Sequence, residues 1–168
     1  MIDEGENLQE VMAHFSVARS PGDLEARKNA EQSNEITSSS CLIRASPLAI
    51  WGHRLIDKEL EDVIREELTL THTNKLVIQA CVCYALFIKY LIVTNGDRNY
   101  SLELVYQYAT LNEYNEILKL LDCGRKTKGT KVTDCTSNPE SYEHGFVWGV
   151  HLVCHEYNFT DALSTQYG

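Results

Sequence analysis

The sequence has little positive charge. Fifteen Lys and Arg residues stand against 24 Asp and Glu residues, which gives a formal net charge of -9 at pH 7. A surface of this sign repels a phosphate backbone, so the balance excludes nucleic-acid binding as a main role. It leaves open a local site for a small phosphorylated ligand.

The first residues also lack the basic start and apolar core of a secretory signal peptide, because they are acidic and polar (MIDEGENL). The chain has six cysteines. Several of them lie in apolar runs, where a free thiol packs like a small hydrophobic group. We therefore expect reduced cysteines and a cytoplasmic location.

No stretch shows the apolar-polar alternation of a strand, no repeat is visible, and no linker divides the chain. Hydrophobic residues make up 43% of the chain and charged residues 23%, as in globular domains. Helical spacing of apolar residues recurs instead. The sequence thus predicts an all-α protein, a single-domain orthogonal helix bundle over residues 1–168.

Apolar periodicity and capping residues set the predicted boundaries. Ser46, Thr71 or Thr73, and Ser101 are predicted N-caps, and Asn95-Gly96 is predicted to end the longest helix. The predicted helices cover residues 6–17, 24–30, 46–51, 57–68, 73–93, 101–121 and 142–157, with a short turn near 160, and the predicted loops cover residues 32–40 and 124–140.

One apolar run, LVIQACVCYALFIKYLIV at residues 76–93, has the 18-residue length of a membrane-crossing helix. Gln79 and Lys89 lie inside it, and a lysine within a bilayer is costly. We expect a buried core helix and no membrane partner; a transmembrane helix is the alternative.

Two residue pairs have spacings that invite comparison with metal sites. His151 and His155 are one helical turn apart, which suits zinc, and His144 is a candidate third ligand. No glutamate lies between them as in the hydrolytic zinc motif. Cys81 and Cys83 point to opposite sides of a helix, so core packing is expected. We assign no metal ligand.

The serine-rich stretch before Trp51 is the best candidate for a ligand site. Small residues at 38–40 let backbone amides approach an anion, and Arg44 can pair with a carboxylate or a phosphate. Thr71-His72 then opens the long apolar helix. The residues alone favour a plainer alternative, in which the arginine pairs with an acidic neighbour and the histidine is a satisfied core residue.

The order of these parts resembles the ADP-ribosylglycohydrolase family, which includes the dinitrogenase reductase-activating glycohydrolases. The family's Asn-Gly-x-x-Met-Arg loop has its counterpart in SSCLIR at residues 39–44, its proline-containing helix in SPLAIW at 46–51, and its Leu-Thr-His element in LTH at 70–72. The resemblance is firmest over residues 38–91. It implies an all-α fold of the ADP-ribosylglycohydrolase type.

The resemblance also implies a ligand-binding role for Ser39, Ser40, Arg44 and His72 at the edge of an ADP-ribose cleft. The expected partner is ADP-ribose or an ADP-ribosylated protein. Ser39-Ser40 replaces the family's Asn-Gly, so the residue that takes positive φ at low cost is lost.

The family hydrolyses the ADP-ribose linkage with two magnesium ions held by aspartate clusters. Neither the Thr-Asp-Asp nor the Gly-Gly-Asp-Thr-Asp pattern occurs here, and Asp122, Asp134 and Asp161 are isolated. We therefore expect no catalytic residue, no metal ligand and no cofactor in this chain. It is expected to be a truncated or degenerate member, inactive or limited to ADP-ribose binding. The alternative is a helical module without a ligand site, in which the long helix exposes an apolar face that binds a partner protein or a second copy of the chain.

Overall fold

The computed structural model describes residues 37–126, 138, 140–155 and 160. These residues form helices joined by short connections, and no strand occurs among them, which confirms the all-α prediction. The predicted helices at 6–17 and 24–30 lie outside the described residues. The helices are α1 (Ser40–Trp51), α2 (Asp57–Leu68), α3 (Lys75–Val93), α4 (Arg98–Leu111), α5 (Asn115–Gly124) and α6 (Tyr142–Cys154).

Helix α3 is the centre of the fold, and the five other helices pack against it. Its middle residues have no exposed surface on either side: Ala80, Cys81, Val82, Cys83, Ala85 and Leu86. A helix that is apolar all round belongs in a core. By length and composition α3 could also cross a membrane, but 67% of its apolar window is buried inside the described structure. The expected core packing of Cys81 and Cys83 is confirmed.

The lysine inside α3 is satisfied within the protein. Lys89 Nζ donates to the Leu55 carbonyl oxygen at 2.7 Å and to Asp57 Oδ1 at 2.5 Å. The Tyr90 hydroxyl donates to Asp57 Oδ2 at 2.7 Å. A buried cation is tolerated when it is paired and hydrogen-bonded, and here this pairing ties α3 to the start of α2.

Helix α1 begins at Ser40, so the predicted N-cap at Ser46 is wrong. The loop predicted at 32–40 ends one residue earlier, at Ser39, and its residues 32–36 lie outside the described residues. Pro47 lies inside the helix rather than in its first turn. The helix continues through the proline because its inner face is buried against α3, where tertiary packing outweighs one missing backbone bond. The buried residues of this face are Cys41, Leu42, Ala45 and Ala49.

The other predicted helix boundaries agree in part with those in the structure. Helix α2 has its predicted limits, and α3 ends at Val93 as predicted. Asn95 and Gly96 follow with φ of 52° and 85°, as expected of a pair that tolerates the left-handed region. The α3 N-cap is Asn74, whose side chain accepts two backbone N–H bonds, rather than Thr71 or Thr73.

The helix predicted from Ser101 to Leu121 is instead two helices. Asp97 caps α4 by accepting from the Tyr100 N–H at 3.0 Å, while Ser101 is fully buried. The break at residues 112–114 contains Glu113 with φ of 58°, and Tyr114 turns inward there.

The last predicted elements lie partly outside the described residues. Gly124 is the buried final residue of α5, so the predicted loop at 124–140 does not begin there. Most of that loop, residues 127–137 and 139, is not described. Helix α6 begins at Tyr142 as predicted but ends at Cys154, with His155 as its C-cap, so the predicted end near 157 is wrong.

Candidate functional site

The entry into α1 is fixed against the start of α6. The Tyr142 N–H donates to the Thr37 carbonyl oxygen at 2.8 Å, and the Ser39 N–H donates to the Glu140 carbonyl oxygen at 2.9 Å. Gly145 allows the close approach, because a Cβ there would lie 3.0 Å from Leu42 Cδ1. The N-terminus of α1 is therefore held in place by backbone bonds.

The two candidate serines at this N-terminus have different surroundings. Ser38 Oγ accepts from the Ser40 N–H at 3.3 Å and donates to Ser40 Oγ at 3.1 Å, so the Ser40 hydroxyl bonds within its own turn. Ser39 makes no side-chain cap bond. It lines a groove of about 480 Å³ between α1, α3 and α6, together with Leu42, Ile43, Ser46, Pro47, Ile50, Tyr84 and Gly145.

Arg44 extends from α1 to the end of α2. Its guanidinium forms an ion pair with the Glu67 carboxylate and donates to the Thr71 hydroxyl. A longer bond of 3.4 Å joins its Nη2 to the Glu67 carbonyl oxygen. The positive charge of Arg44 thus pairs with an acidic neighbour, and the same side chain fixes the position of the Thr71 hydroxyl.

His72 is buried, with only 4% of its surface exposed. Its Nδ1 lies 2.8 Å from Thr71 Oγ1, while its Nε2 has no hydrogen-bond partner in the described structure. Burial lowers the pKa of His72, and the nearby charge of Arg44 lowers this pKa further. The imidazole is therefore neutral at pH 7, and its Nε2 is a polar atom able to bond a ligand.

The structure divides the four predicted ligand residues between two places. Arg44 and His72 meet through Thr71, and Ser40 lies one turn before Arg44 on α1. Ser39 faces the separate groove instead. Sequence reasoning missed Glu67, because nothing in the helical pattern of α2 distinguishes it from Glu66 beside it.

The described carboxylates do not form a magnesium centre. Four of them are each bonded to a cation or a phenol: Glu61 to Arg65, Tyr108 and Tyr114, Asp57 to Lys89 and Tyr90, Asp122 to Tyr106, and Glu67 to Arg44. Within the ranges that the structure describes, no three His, Cys, Asp or Glu side chains are grouped to bind a metal ion. These residues therefore do not fit the two-magnesium site of the ADP-ribosylglycohydrolase family, which the sequence resembles.

The two histidines near the end of α6, His151 and His155, form hydrogen bonds to backbone carbonyl groups. His151 Nδ1 lies 3.2 Å from the Gly124 carbonyl oxygen, and His155 Nε2 bonds to the Lys126 carbonyl oxygen. The two ring centroids are 4.4 Å apart. Both imidazoles thus satisfy carbonyl groups at the C-terminal end of α5.

Comparison with known proteins gives one finding on identity. The ADP-ribosylglycohydrolase family model matches residues 3–157 of the 168-residue chain. Neither a curated protein nor a solved structure was found to match. The matched span includes all six described helices and the Arg44–Thr71–His72 contact. Since the family model covers most of its length, this chain belongs to the ADP-ribosylglycohydrolase family.

Proposed function

We propose that this chain binds ADP-ribose, either free or attached to a protein, and does not hydrolyse it efficiently by itself. Family membership supports the choice of ligand. The observation that carries the proposal is the buried Nε2 of His72, which has no partner in the described residues and lies on the ring that Thr71 and Arg44 position. A diphosphate supplies oxygen atoms that such a group can bond.

The proposed lack of hydrolysis is supported by the positions and bonding partners of the described carboxylates. The family reaction needs clustered oxygen ligands that orient the ribose and the attacking water. Among the described residues, Glu61, Asp57 and Asp122 are already bonded to arginine, lysine or tyrosine, and no three potential metal ligands are grouped. Without that orientation, most of the proximity and electrostatic gain is lost.

Isothermal titration calorimetry with ADP-ribose tests binding. We expect a saturable heat for the wild-type chain and binding at least about tenfold weaker for His72→Phe, a loss of about 1.4 kcal/mol. His53→Phe is the matched control, because His53 Nδ1 bonds to the Ile50 carbonyl oxygen away from His72. No saturable heat at millimolar ADP-ribose refutes the binding proposal.

A second assay tests the proposed lack of hydrolysis. The chain is incubated with an ADP-ribosylated protein and magnesium, and released ADP-ribose is measured by chromatography. We expect release no faster than in a sample without the chain. Enzyme-dependent release in proportion to chain concentration would refute this part of the proposal and leave the binding part standing.

A second candidate function is self-association through helix α1. Its outer face exposes large apolar side chains, with Ile43 at 73%, Ile50 at 57% and Trp51 at 49%. Contiguous exposed apolar residues favour a protein contact. Light scattering tests this candidate: it predicts a dimer or larger species that Ile43→Lys converts to a monomer, with Leu111→Lys on α4 as the control. A wild-type monomer at all concentrations rejects it.

We also propose a reducing, cytoplasmic location. The described cysteines are thiols rather than disulfides, and three of them (Cys41, Cys81 and Cys83) are buried in the core. Free thiols persist where glutathione keeps them reduced. Fractionation of expressing cells tests the proposal, which predicts recovery with cytoplasmic markers and is refuted by recovery in a secreted or membrane fraction.

A further inference from the structure

We infer that Glu67, Arg44 and Thr71 together hold His72 in the tautomer that carries its proton on Nε2. The buried atom that His72 offers to a ligand is then a hydrogen-bond donor. Only the identity of the ligand rests on the proposed function, because the tautomer is a property of the chain itself.

The first step concerns the direction of the hydrogen bonds. A guanidinium only donates, so Thr71 Oγ1 is the acceptor in its bond with Arg44. The Thr71 hydroxyl proton is then free to point to His72 Nδ1, which lies 2.8 Å away. In this arrangement Nδ1 accepts, and the ring proton resides on Nε2.

The second step is electrostatic. With the proton on Nε2, the ring directs the lone pair of Nδ1, the negative end of its dipole, towards the Thr71 hydroxyl and the Arg44 charge behind it. The other tautomer would direct an N–H at an oxygen that already accepts from a cation. Donation from Arg44 also polarises the hydroxyl and makes it a stronger donor to Nδ1.

The third step explains why Arg44 stays in place. Its guanidinium is paired with the Glu67 carboxylate and also reaches the Glu67 carbonyl oxygen, at the last turn of α2. Two anchors on one residue restrict a long, flexible side chain. Glu67, Arg44 and Thr71 are thus positioning residues, and His72 is the residue that would contact a ligand.

The tautomer restricts the chemical class of ligand. A protonated Nε2 bonds an acceptor, such as an oxygen of a phosphate or diphosphate. It does not coordinate a metal ion, because coordination needs the lone pair of that nitrogen. The class that fits is an anionic oxygen group, as in the diphosphate of ADP-ribose.

Nitrogen NMR of the ligand-free full chain, labelled with ¹⁵N-histidine, reads the tautomer directly. Long-range proton–nitrogen correlations near neutral pH should show His72 with an unprotonated Nδ1 and a protonated Nε2, the signals being assigned by their loss in His72→Phe. We expect Thr71→Val to give a mixture of tautomers, and Thr71→Ser, which restores the hydroxyl, to restore the single form. Thr69→Val is the matched control, because the Thr69 hydroxyl donates to the Glu66 carbonyl oxygen instead.

A His72 ring protonated on Nδ1 in the wild-type chain overturns the inference, and so does a Thr71→Val spectrum identical to that of the wild type. Addition of ADP-ribose or of inorganic pyrophosphate then separates the two claims. A shift of the Nε2 resonance with either anion supports the assigned ligand class. An Nε2-protonated ring that responds to neither anion refutes the proposed function while the tautomer assignment stands.

Discussion

The Tyr108 hydroxyl donates to the Glu61 carboxylate across the contact between α4 and α2, with 2.6 Å between the phenol oxygen and Oε2. Tyr114 donates to Oε1 at 2.9 Å, and Arg65 Nε donates to the same oxygen at 2.7 Å. Glu61 is only 4% exposed. A buried carboxylate is costly unless it is bonded in this way, so this cluster fixes α2, α4 and the break before α5 relative to one another.

The first prediction concerns the pH dependence of stability. Burial raises the pKa of Glu61, but the bonds from Tyr108, Arg65 and Tyr114 outweigh it, and the pKa falls from 4.5 to about 2. A lowered carboxylate pKa stabilises the fold above the unfolded value, and that stability is lost as the pH falls from 4.5 towards 2. Urea unfolding across this range should show a loss of at most about 3 kcal/mol from this group.

The variant Glu61→Gln provides the control for this prediction. It should be less stable than the wild type at neutral pH, because a neutral amide cannot replace the charge-assisted bonds. Its stability should also fall less steeply below pH 4.5, the ordinary value for the titrating group. Equal pH slopes in the two proteins would show that another group controls acid unfolding.

The second prediction concerns the pair formed by Lys89 and Asp57. Asp57→Ala leaves the buried Lys89 ammonium without its anion and should cost about 3 kcal/mol. Lys89→Met removes the buried cation and leaves a carboxylate that is 39% exposed to solvent, so it should cost about 1 kcal/mol. Chemical unfolding measures both. A larger loss in Lys89→Met than in Asp57→Ala would mean that the fold tolerates the buried Lys89 ammonium without the Asp57 carboxylate.

The third prediction compares two glycines in close-packed helices. A Cβ at Gly124 would lie 2.5 Å from Val150 Cγ1, so Gly124→Ala should destabilise the protein by about 1–3 kcal/mol. Val150→Ala in the same chain should recover part of that loss. At Gly149 a Cβ would meet only Tyr84 Cε2 at 3.6 Å, so Gly149→Ala should stabilise α6 by about 0.5–1 kcal/mol. Thermal unfolding of Gly124→Ala, of the double variant with Val150→Ala, and of Gly149→Ala compares their stabilities with that of the wild type. A Gly124→Ala variant as stable as the wild type would contradict the packing described for α5 and α6.

Some of the fold is predictable from local pattern. The limits of α2 and the end of α3 followed from apolar spacing and from Asn95-Gly96, because both signals act within a few residues. The start of α1 did not follow, because packing against α3 carries that helix through Pro47. The break between α4 and α5 contains neither glycine nor proline, and it depends on the distant contact of Tyr114 with Glu61.

The candidate site was predictable only in its parts. Arg44 and His72 are visible in the sequence through their order and spacing, and the structure brings them together through Thr71. The pairing of Arg44 with Glu67 is set by how α1 crosses the end of α2, and no local pattern indicates it. The sequence also placed Ser39 with these residues, whereas Ser39 is the N-cap residue before α1 and lines the separate groove.

Calorimetric titration of ADP-ribose into the wild-type chain and into Thr71→Val tests the central claim most directly, because it probes both the ligand and the residue that positions His72. The proposed function and the tautomer together predict saturable binding by the wild-type chain and binding weaker by about tenfold in the variant, a loss of about 1.4 kcal/mol. Absence of saturable binding by the wild-type chain, or equal affinity in the two proteins, would contradict this account.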